Sequence, residues 1–393
     1  MVIKPRVRGF ICTTAHPVGC AREVERQAEV ARRRGLPAGP KAALVVGSSM
    51  GYGLSSRITA AFGCGAGTLG VFLERPGSEK RTATAGWYNS AAFHRLARES
   101  GLWAEGLDGD AFSPEVKQQA VERVRDGLGQ VDLVIYSLAA PRRTLADGTV
   151  AKSALKPIGE TYRNKTLDVE SGVVSEVAIE PADHQEIADT VKVMGGEDWQ
   201  LWVDALEEGG VLAADATTVA YSYIGPELTH SIYRHGTIGR AKDHLEATAR
   251  RLDERLRRRG GRALVSVNKA VVTQSSSAIP VVPLYISLLF EVMKEKGLHE
   301  GCIEQMVRLF GERLYAGGEV ALDAEGRIRL DDLEMRADVQ SEVQRRWREV
   351  ASGTISGLAD LDGYRSDFLR LFGFAVDGVD YAADVDPVVP LEG

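Results

Sequence analysis

The chain has 393 residues, of which 44% are hydrophobic and 26% are charged, and its formal net charge is −7. This length and hydrophobic content allow a large buried core, and length alone favours two or three domains. The acidic balance argues against nucleic-acid binding, because the arginines are scattered or grouped in short helical runs such as 32–34 and 257–259.

Strand and helix patterns alternate along much of the chain. Strands are predicted in KAALVVG, TLGVFLE, LWAEGL and VDLVIYSLAA, and helices in LSSRITAAF, in the segment containing WYNSAAFHRLARES and in PEVKQQAVERVRDGL. TTVAYSY and RALVSVN are expected to be further strands of the same sheet, with RAKDHLEATARRLDERLRRR as the helix between them. This order predicts an α/β fold, a Rossmann-like doubly wound parallel sheet with helices on both faces.

Two regions depart from this alternation. Residues from about 143 to 190 are rich in Thr, Val, Gly and Pro and are expected to form an inserted set of β-hairpins. After residue 280 the pattern becomes largely helical and predicts a C-terminal extension, within which about 275–320 would be a helical segment on the substrate side. Ile286, Leu289 and Val292 would there face a greasy substrate or make ordinary core contacts. The whole chain, 1–393, is then predicted to be a single elaborated domain.

The N-terminal segment and the cysteines indicate a cytoplasmic protein. The first residues lack the apolar core of a signal peptide, and the most apolar later run, VVPLYISLLF, is too short to span a bilayer. Four cysteines in so long a chain make no disulfide framework, which fits a reducing compartment. Cys12, His16 and Cys20 are conceivable metal ligands, but half of a zinc pattern is missing, so buried thiols and no metal are expected.

A glycine-rich loop, VVGSSMGYGLSSR, lies between a predicted strand and a predicted helix. Gly47, Gly51 and Gly53 would allow a tight turn and the close approach of a pyrophosphate to backbone N–H groups. The next strand ends at Glu74, where a carboxylate would accept hydrogen bonds from the adenosine ribose and repel a 2′-phosphate. NADH is therefore favoured over NADPH, although the adjacent Arg75 would weaken the preference. The alternative is an ordinary strand–turn–helix with a surface glutamate.

Two further strand ends support a nucleotide site. Asp110 and Ala111 follow LWAEGL at a position that would lie beside the adenine. Ser137, Leu138 and Ala139 follow VDLVIY and are small enough for a cofactor to cross the sheet edge there.

A tyrosine and a lysine in SIYRHGTIGRAK form the candidate catalytic pair. Tyr233 and Lys242 are nine positions apart, which on one regular helix would place them on opposite faces. They can share a site only if the chain bends between them, which Gly236 and Gly239 would allow. The alternative is a core tyrosine and a solvated lysine. Upstream, Tyr221 and a second tyrosine two positions later alternate on one strand, so only one of them should line the site.

Several long strings together resemble one family. IKPRVRGFICTTAHPVGC, GSSMGYGL, GWYN, YSYIGPELTHSIYRHGTIGRAK, NKAVVTQSSSAIPVVPLYIS, FLRLFGF and VDYAADVDP are similar to those of FabV-type enoyl-acyl-carrier-protein reductases, a family that also contains trans-2-enoyl-CoA reductases. The departures are small: Met50 interrupts the loop, and Ser276 stands where a smaller residue would be expected.

The resemblance implies NADH-dependent reduction of the trans-2 double bond of enoyl thioesters, as in fatty-acid synthesis, with no metal. Tyr233 would be the proton donor, Lys242 would contact the cofactor, and Tyr223 would contact the substrate thioester. The residues implied to hold the nucleotide are Gly47, Ser48, Ser49, Met50, Gly51, Tyr52, Leu73, Glu74, Asp110, Ala111, Leu138, Ala139, Lys242, Val271, Val272 and Thr273.

Two other functions remain open at this point. The first is a β-ketoacyl or other carbonyl reductase that uses Tyr233 as proton donor, and the second is a catalytically silent NAD-binding sensor. The expected partner is an enoyl-CoA or an enoyl-acyl-carrier protein, with no nucleic acid and no membrane, and the protein would be a monomer or a homodimer.

Overall fold

The computed structural model describes residues 1–391 and consists of a large parallel sheet, three small hairpins and helices. Its strands are β1 Val7–Arg8, β2 Ile11–Cys12, β3 Ala42–Val46, β4 Gly67–Phe72, β5 Ala104–Asp108, β6 Val131–Tyr136, β7 Arg142–Thr144, β8 Val150–Lys152, β9 Tyr162–Leu167, β10 Val174–Ile179, β11 Leu212–Ser222, β12 Arg262–Val267 and β13 Arg327–Arg329. Its α-helices are α1 Pro17–Arg34, α2 Gly51–Ile58, α3 Ala85–Glu99, α4 Pro114–Gly127, α5 His184–Met194, α6 Glu197–Glu208, α7 Glu227–His230, α8 Thr237–Arg257, α9 Gln274–Ser277, α10 Val282–Glu295, α11 Cys302–Arg308, α12 Ala337–Glu349 and α13 Leu361–Arg370. π-helical turns at Thr59–Gly63 and Leu309–Leu314 extend α2 and α11.

Seven parallel strands form the main sheet in the order β13-β12-β11-β6-β3-β4-β5. The chain runs outward from β3 to β5 and then returns to the other side of β3 with β6. The strand order therefore reverses between β3 and β6, and a ligand of such a sheet binds at the carboxyl ends of the strands beside this switch point. The predicted fold class is confirmed.

Both faces of the sheet are covered, which explains why its central strands are almost continuously apolar. On one face, Leu44 and Val134 pack in a cluster with residues of α4, α6 and α8. On the other face, Val45 and Leu133 pack in a cluster with Phe310 and its neighbours. The predicted apolar stripe of α8 is confirmed, because its members are all buried: Ala241, Leu245, Leu252 and Leu256.

The predicted insertion contains two antiparallel hairpins, β7–β8 and β9–β10. The hairpins end before the expected limit of residue 190, since α5 begins at His184 with a capping box from Asp183 and Glu186.

The C-terminal helices pack around a core of their own, formed mainly by α10, α12 and α13 with parts of the N-terminal segment. Ile286, Leu289 and Val292 of α10 are all buried in this core, which corresponds to the alternative of ordinary core contacts. The substrate-side role of 275–320 and the single-domain division of the chain stay predictions. Within residues 1–391, no helix combines the length and the apolar character that a membrane crossing requires.

Candidate active site

The glycine loop follows β3 at the switch point and leads into α2. Gly47 has φ +83° and Gly51 has φ +54°, a left-handed backbone that favours glycine. A Cβ atom on Gly47 would lie 2.5 Å from the Ser137 carbonyl oxygen, and one on Gly53 would overlap the Gly47 carbonyl oxygen. The glycines are therefore required for the turn and for its close packing against the end of β6. A Cβ atom on Gly51, by contrast, would meet no atom closer than Thr273 Cγ2, at 3.7 Å.

Glu74 lies next to this loop, two residues after β4. The Ser49 hydroxyl donates to Glu74 Oε1 at 2.7 Å. A Cβ on Gly86, near the start of α3, would overlap the Glu74 carboxylate. Burial raises the pKa of Glu74, and hydrogen bonds from Thr84 and Ser49 oppose the rise. The neighbouring Leu73 is 69% exposed. The structure thus brings the predicted ribose carboxylate and the glycine loop together.

The predicted adenine segment, Asp110 and Ala111, follows β5 and is held from beneath by a buried ion pair. Lys117 Nζ donates to the Ala111 carbonyl oxygen and to Asp198 Oδ1, both at 2.8 Å. Trp202 Nε1 donates to the same carbonyl oxygen at 3.1 Å. Burial lowers the pKa of Lys117, and the Asp198 charge opposes that shift. The role of Lys117 was not predicted, although a lysine on the apolar stripe of α4 is a signal that the sequence carries.

The loop after β12 carries Val271, Val272 and Thr273. Thr273 caps α9, since its hydroxyl accepts from the Ser276 backbone N–H at 3.0 Å. The Ser276 hydroxyl in turn donates to the Val271 carbonyl oxygen at 2.8 Å. Ser276, which seemed too large from the sequence, therefore braces this loop.

A cavity of about 560 Å³ reaches both the glycine loop and the loop after β12, and most of its other lining belongs to α1 and to the segments 299–304 and 367–377. Met50, Gly51, Val271 and Val272 line it, so two of the predicted nucleotide segments meet there. Tyr233 and Lys242 do not line this cavity. Leu138 and Ala139 follow β6 at the same edge of the sheet and are at least partly exposed.

Tyr233 and Lys242 lie on either side of the bend that the sequence predicted. Tyr233 is in the turn between α7 and α8, and Lys242 is in the second turn of α8. Gly236 precedes α8 with φ −89°, so the bend needs no left-handed residue. A Cβ on Gly239 would lie 2.8 Å from the Tyr233 carbonyl oxygen and would overlap that of Arg234. Gly239 is thus required because the turn packs directly on the helix.

The two members of the pair contact residues at the end of β11 and just beyond it. Lys242 Nζ donates to the Tyr221 carbonyl oxygen at 3.0 Å. The ring of Tyr233 packs against that of Tyr223 at a centroid distance of 4.8 Å and an angle of 87°, the edge-to-face arrangement that aromatic pairs favour. The fold therefore brings Tyr233, Lys242 and Tyr223 to the end of one strand, which lies next to the switch point.

Burial shifts the proton affinity of both groups. It lowers the pKa of Lys242 to about 8, against the opposing charge of Glu246. It raises the pKa of Tyr233 to about 12, so the phenol keeps its proton at neutral pH. Within residues 1–391 the Tyr233 hydroxyl makes no hydrogen bond. It is therefore available as a donor.

Tyr221 and Tyr223 face opposite sides of the strand, as the alternation predicted. The Tyr221 hydroxyl contacts the Ser56 hydroxyl at 2.5 Å, whereas the Tyr223 hydroxyl donates to Glu334 Oε1 at 3.0 Å. Only Tyr223 packs on Tyr233. Glu334 was missed, because it lies in an irregular segment that carries no motif.

The metal interpretation of the N-terminal cysteines gains no geometric support. His16 Nδ1 accepts a hydrogen bond from the Gly19 N–H at 3.2 Å and so caps α1. Cys20 is buried, which raises the pKa of its thiol. Over the part of the chain that the structure describes, no group of three side chains is arranged to hold a metal ion.

Three family models match successive parts of the chain. The family model described as the trans-2-enoyl-CoA reductase catalytic region matches residues 81–315, and the NAD(P)H binding domain of trans-2-enoyl-CoA reductase matches residues 2–79. A third model, described as an enoyl reductase FAD binding domain, matches residues 322–385. Flavin appears only in the description of that family model.

Individual relatives match over the full length. An NADH-dependent enoyl-acyl-carrier-protein reductase of Flavobacterium johnsoniae is 58% identical, with 100% of this chain and 99% of the relative covered. An NADH-dependent trans-2-enoyl-CoA reductase of Ruminiclostridium cellulolyticum is 57% identical, with both chains covered completely.

Two solved structures share the fold closely. The trans-2-enoyl-CoA reductase of Treponema denticola in complex with NAD superposes with a TM-score of 0.95, at 51% identity over 98% of each chain. The trans-2-enoyl-CoA reductase of Clostridium acetobutulicum in complex with NADH superposes with a TM-score of 0.97, at 44% identity over 100% of each chain. The chain therefore belongs to the trans-2-enoyl-CoA reductase family.

Proposed function

We propose that this protein uses NADH to reduce the trans-2 double bond of enoyl thioesters to saturated acyl thioesters. The observation that carries the proposal is that Lys242 and the available Tyr233 hydroxyl both lie near the end of β11, in a chain that aligns from end to end with NADH-dependent enoyl reductases. We also propose that the protein acts in the cytoplasm.

The residues at the switch point fit a dinucleotide. The loop from Ser49 to Tyr52 presents backbone N–H groups at the start of α2, whereas the N–H groups of Gly47 and Ser48 both donate to the Val71 carbonyl oxygen. Glu74 has one carboxylate oxygen held by Ser49, and its second oxygen is suited to ribose hydroxyls. The 110–111 segment would contact the adenine, and the 138–139 and 271–273 segments would contact the nicotinamide half. When bound, NADH supplies the hydride that adds to the β carbon of the substrate.

Tyr233 stabilises the charge that this addition creates. As the β carbon gains a hydride, negative charge builds on the thioester oxygen, and the phenol donates a hydrogen bond to that oxygen. Since burial keeps the pKa of Tyr233 high, at about 12, the group remains a donor throughout the neutral range. Protonation of the α carbon then completes the saturated product.

Lys242 supplies positive charge on the same side. Its Nζ is oriented by the Tyr221 carbonyl, which leaves further N–H bonds for a nicotinamide ribose. Because burial lowers its pKa to about 8, the ammonium form dominates at neutral pH and is lost as the pH rises through that value. An ammonium in this position makes negative charge on the thioester oxygen less costly.

Incubation with NADH and either crotonyl-CoA or acetoacetyl-CoA tests the function. We expect oxidation of NADH with crotonyl-CoA and formation of butyryl-CoA. Turnover of the ketone alone would replace the proposal by a carbonyl reductase, and binding of NADH without turnover of any enoyl thioester would indicate a silent sensor. Matched enoyl-CoA and enoyl-carrier-protein substrates of increasing chain length then identify the carrier that this protein prefers.

A further inference from the structure

A carboxylate from the C-terminal extension reaches the strand ends that carry the candidate site. β13 pairs with β12 in parallel, and the N–H groups of Leu330 and Asp331 both donate to the Val267 carbonyl oxygen, at 2.9 and 3.1 Å. Arg329 holds Asp331 through two bonds of 2.8 and 2.7 Å. The chain therefore continues along the sheet edge and carries Glu334, which is completely buried, to the ends of β11 and β12.

Three donors converge on the Glu334 carboxylate. Oε1 accepts from the hydroxyl of Tyr223 at 3.0 Å and from that of Tyr285 at 2.7 Å. Oε2 accepts from the backbone N–H of Ala270 at 2.7 Å. Gln340 Nε2 donates to the Tyr285 hydroxyl at 3.1 Å, so that tyrosine is engaged on both sides. A buried carboxylate is tolerated only with such partners.

A buried lysine balances the charge. Lys269 is 2% exposed, and its Nζ donates to the Ala270 carbonyl oxygen at 2.8 Å. Burial raises the pKa of Glu334, and the Lys269 charge is the first influence that opposes it. Burial lowers the pKa of Lys269 to about 8, and the Glu334 charge opposes that shift in turn. Each charge thus stabilises the charged form of the other group, and both groups bind the backbone of Ala270.

These contacts separate the roles of the two tyrosines. The single hydroxyl proton of Tyr223 is donated to Glu334, while the Tyr233 hydroxyl has no partner among residues 1–391. The ring of Tyr223 stands edge-on against Tyr233. Tyr223 therefore cannot donate to a thioester oxygen while it is bound to Glu334, and it meets the substrate through its ring.

We infer that Glu334 is a positioning residue, which holds Tyr223 as an aromatic wall for Tyr233 and anchors Ala270 at the start of the 271–273 nucleotide loop. The inference rests on the proposed function for the role of Tyr233, and it assigns the donation to the thioester oxygen to Tyr233 alone.

Glu334→Gln is the matched test. The amide keeps the shape and one oxygen for the two tyrosines, but its NH₂ group faces the N–H of Ala270, so two donors oppose each other. Because the nucleotide loop loses its anchor, we expect the Kd for NADH to rise about ten-fold and kcat to fall by up to about 100-fold, the scale of a small misplacement of reacting groups. NADH binding is followed by protein fluorescence and kcat by NADH oxidation with crotonyl-CoA.

Tyr285→Phe is the control, since it removes one hydroxyl bond to the same carboxylate oxygen without touching Tyr233. We expect its melting temperature to fall as much as that of Tyr223→Phe, while its kcat stays within about two-fold of the parent protein. Tyr223→Phe is expected to lose kcat by less than about ten-fold, because the ring contact with Tyr233 remains.

Three results would overturn the inference. The first is an unchanged Kd for NADH in Glu334→Gln. The second is an equal loss of kcat in Glu334→Gln and Tyr285→Phe, which would reveal a general effect on stability. The third is a loss in Tyr223→Phe as large as that in Tyr233→Phe. If the parent protein does not turn over crotonyl-CoA, the proposed function fails, and the NADH affinity of Glu334→Gln still decides the role of Glu334 at Ala270.

Discussion

Removal of one oxygen, in Tyr233→Phe, isolates the step that the proposed mechanism depends on. The hydroxyl makes no hydrogen bond within residues 1–391, and the ring contact with Tyr223 does not involve it. The substitution should therefore leave the free energy of unfolding and the affinity for NADH almost unchanged. What it removes is a donor to the thioester oxygen in the transition state.

The expected size of the effect follows from that role. Loss of one donor to a developing oxyanion costs about 2.7–4 kcal/mol, or about 10²–10³ in kcat. Because the phenol of the parent protein keeps its proton up to a pKa of about 12, the loss should be nearly constant between neutral and moderately alkaline pH. Steady-state oxidation of NADH with crotonyl-CoA measures it, and thermal unfolding checks the fold.

Tyr221→Phe, on β11, is expected to change stability rather than kcat. Its hydroxyl bonds to Ser56, so its loss should lower the free energy of unfolding by about 0.5–1.5 kcal/mol. The backbone carbonyl that orients Lys242 is retained, and kcat should change much less than in Tyr233→Phe. A Tyr233→Phe protein with the kcat of its parent, or one that is destabilised as much as Tyr221→Phe, would refute the reasoning.

Three further substitutions, two of them with a control, test the charges around the nucleotide. Because the ammonium of Lys242 is lost above a pKa of about 8, kcat should fall as the pH rises through that value. Lys242→Arg should move this fall in kcat more than one pH unit higher. Identical pH profiles of kcat for the two proteins would contradict the role of the Lys242 charge. Glu74→Ala should reduce the ratio of kcat/KM for NADH over NADPH, whereas Glu79→Ala, at an exposed position, should leave it unchanged. Lys117→Met leaves the buried Asp198 carboxylate without its partner, so it should lower the free energy of unfolding by about 3–5 kcal/mol and raise KM for NADH. Asp198→Asn in the same protein should restore part of both, and no restoration would argue that the Lys117–Asp198 ion pair does not hold the 110–111 segment.

The sheet and the bend were predictable because each leaves a local pattern. Apolar strand runs that alternate with helical stripes are sufficient for a doubly wound fold. The spacing of nine positions, with two glycines within it, means that Tyr233 and Lys242 could not meet on a single straight helix. The reason for Gly239 was only half predicted. It provides close packing against the preceding turn rather than an unusual backbone angle.

Other features leave no such pattern. β13 is three residues long, and Arg327 and Arg329 flank its one apolar residue, so it does not resemble a core strand. Val281 adopts φ +75° before α10, a conformation that β-branched residues avoid and that only the surrounding structure can impose. Glu334 lies 111 positions from the tyrosine that it binds. Contacts of this kind depend on the tertiary fold, and sequence spacing does not encode them.

The placement of Tyr233 on a turn gives the C-terminal extension a structural role at the proposed site. Where a catalytic tyrosine and lysine share one helix, the helix itself sets their separation. Here only Lys242 is on a helix, so Tyr233 must be positioned by what packs on it, namely Gly239 behind its backbone and the ring of Tyr223 beside it. Tyr223 lies beyond the end of β11 and is restrained by Glu334. It follows that disturbing the extension at Glu334 should impair the chemistry at Tyr233 although the two residues belong to different parts of the chain, whereas disturbing it at an exposed residue such as Asp362 should not.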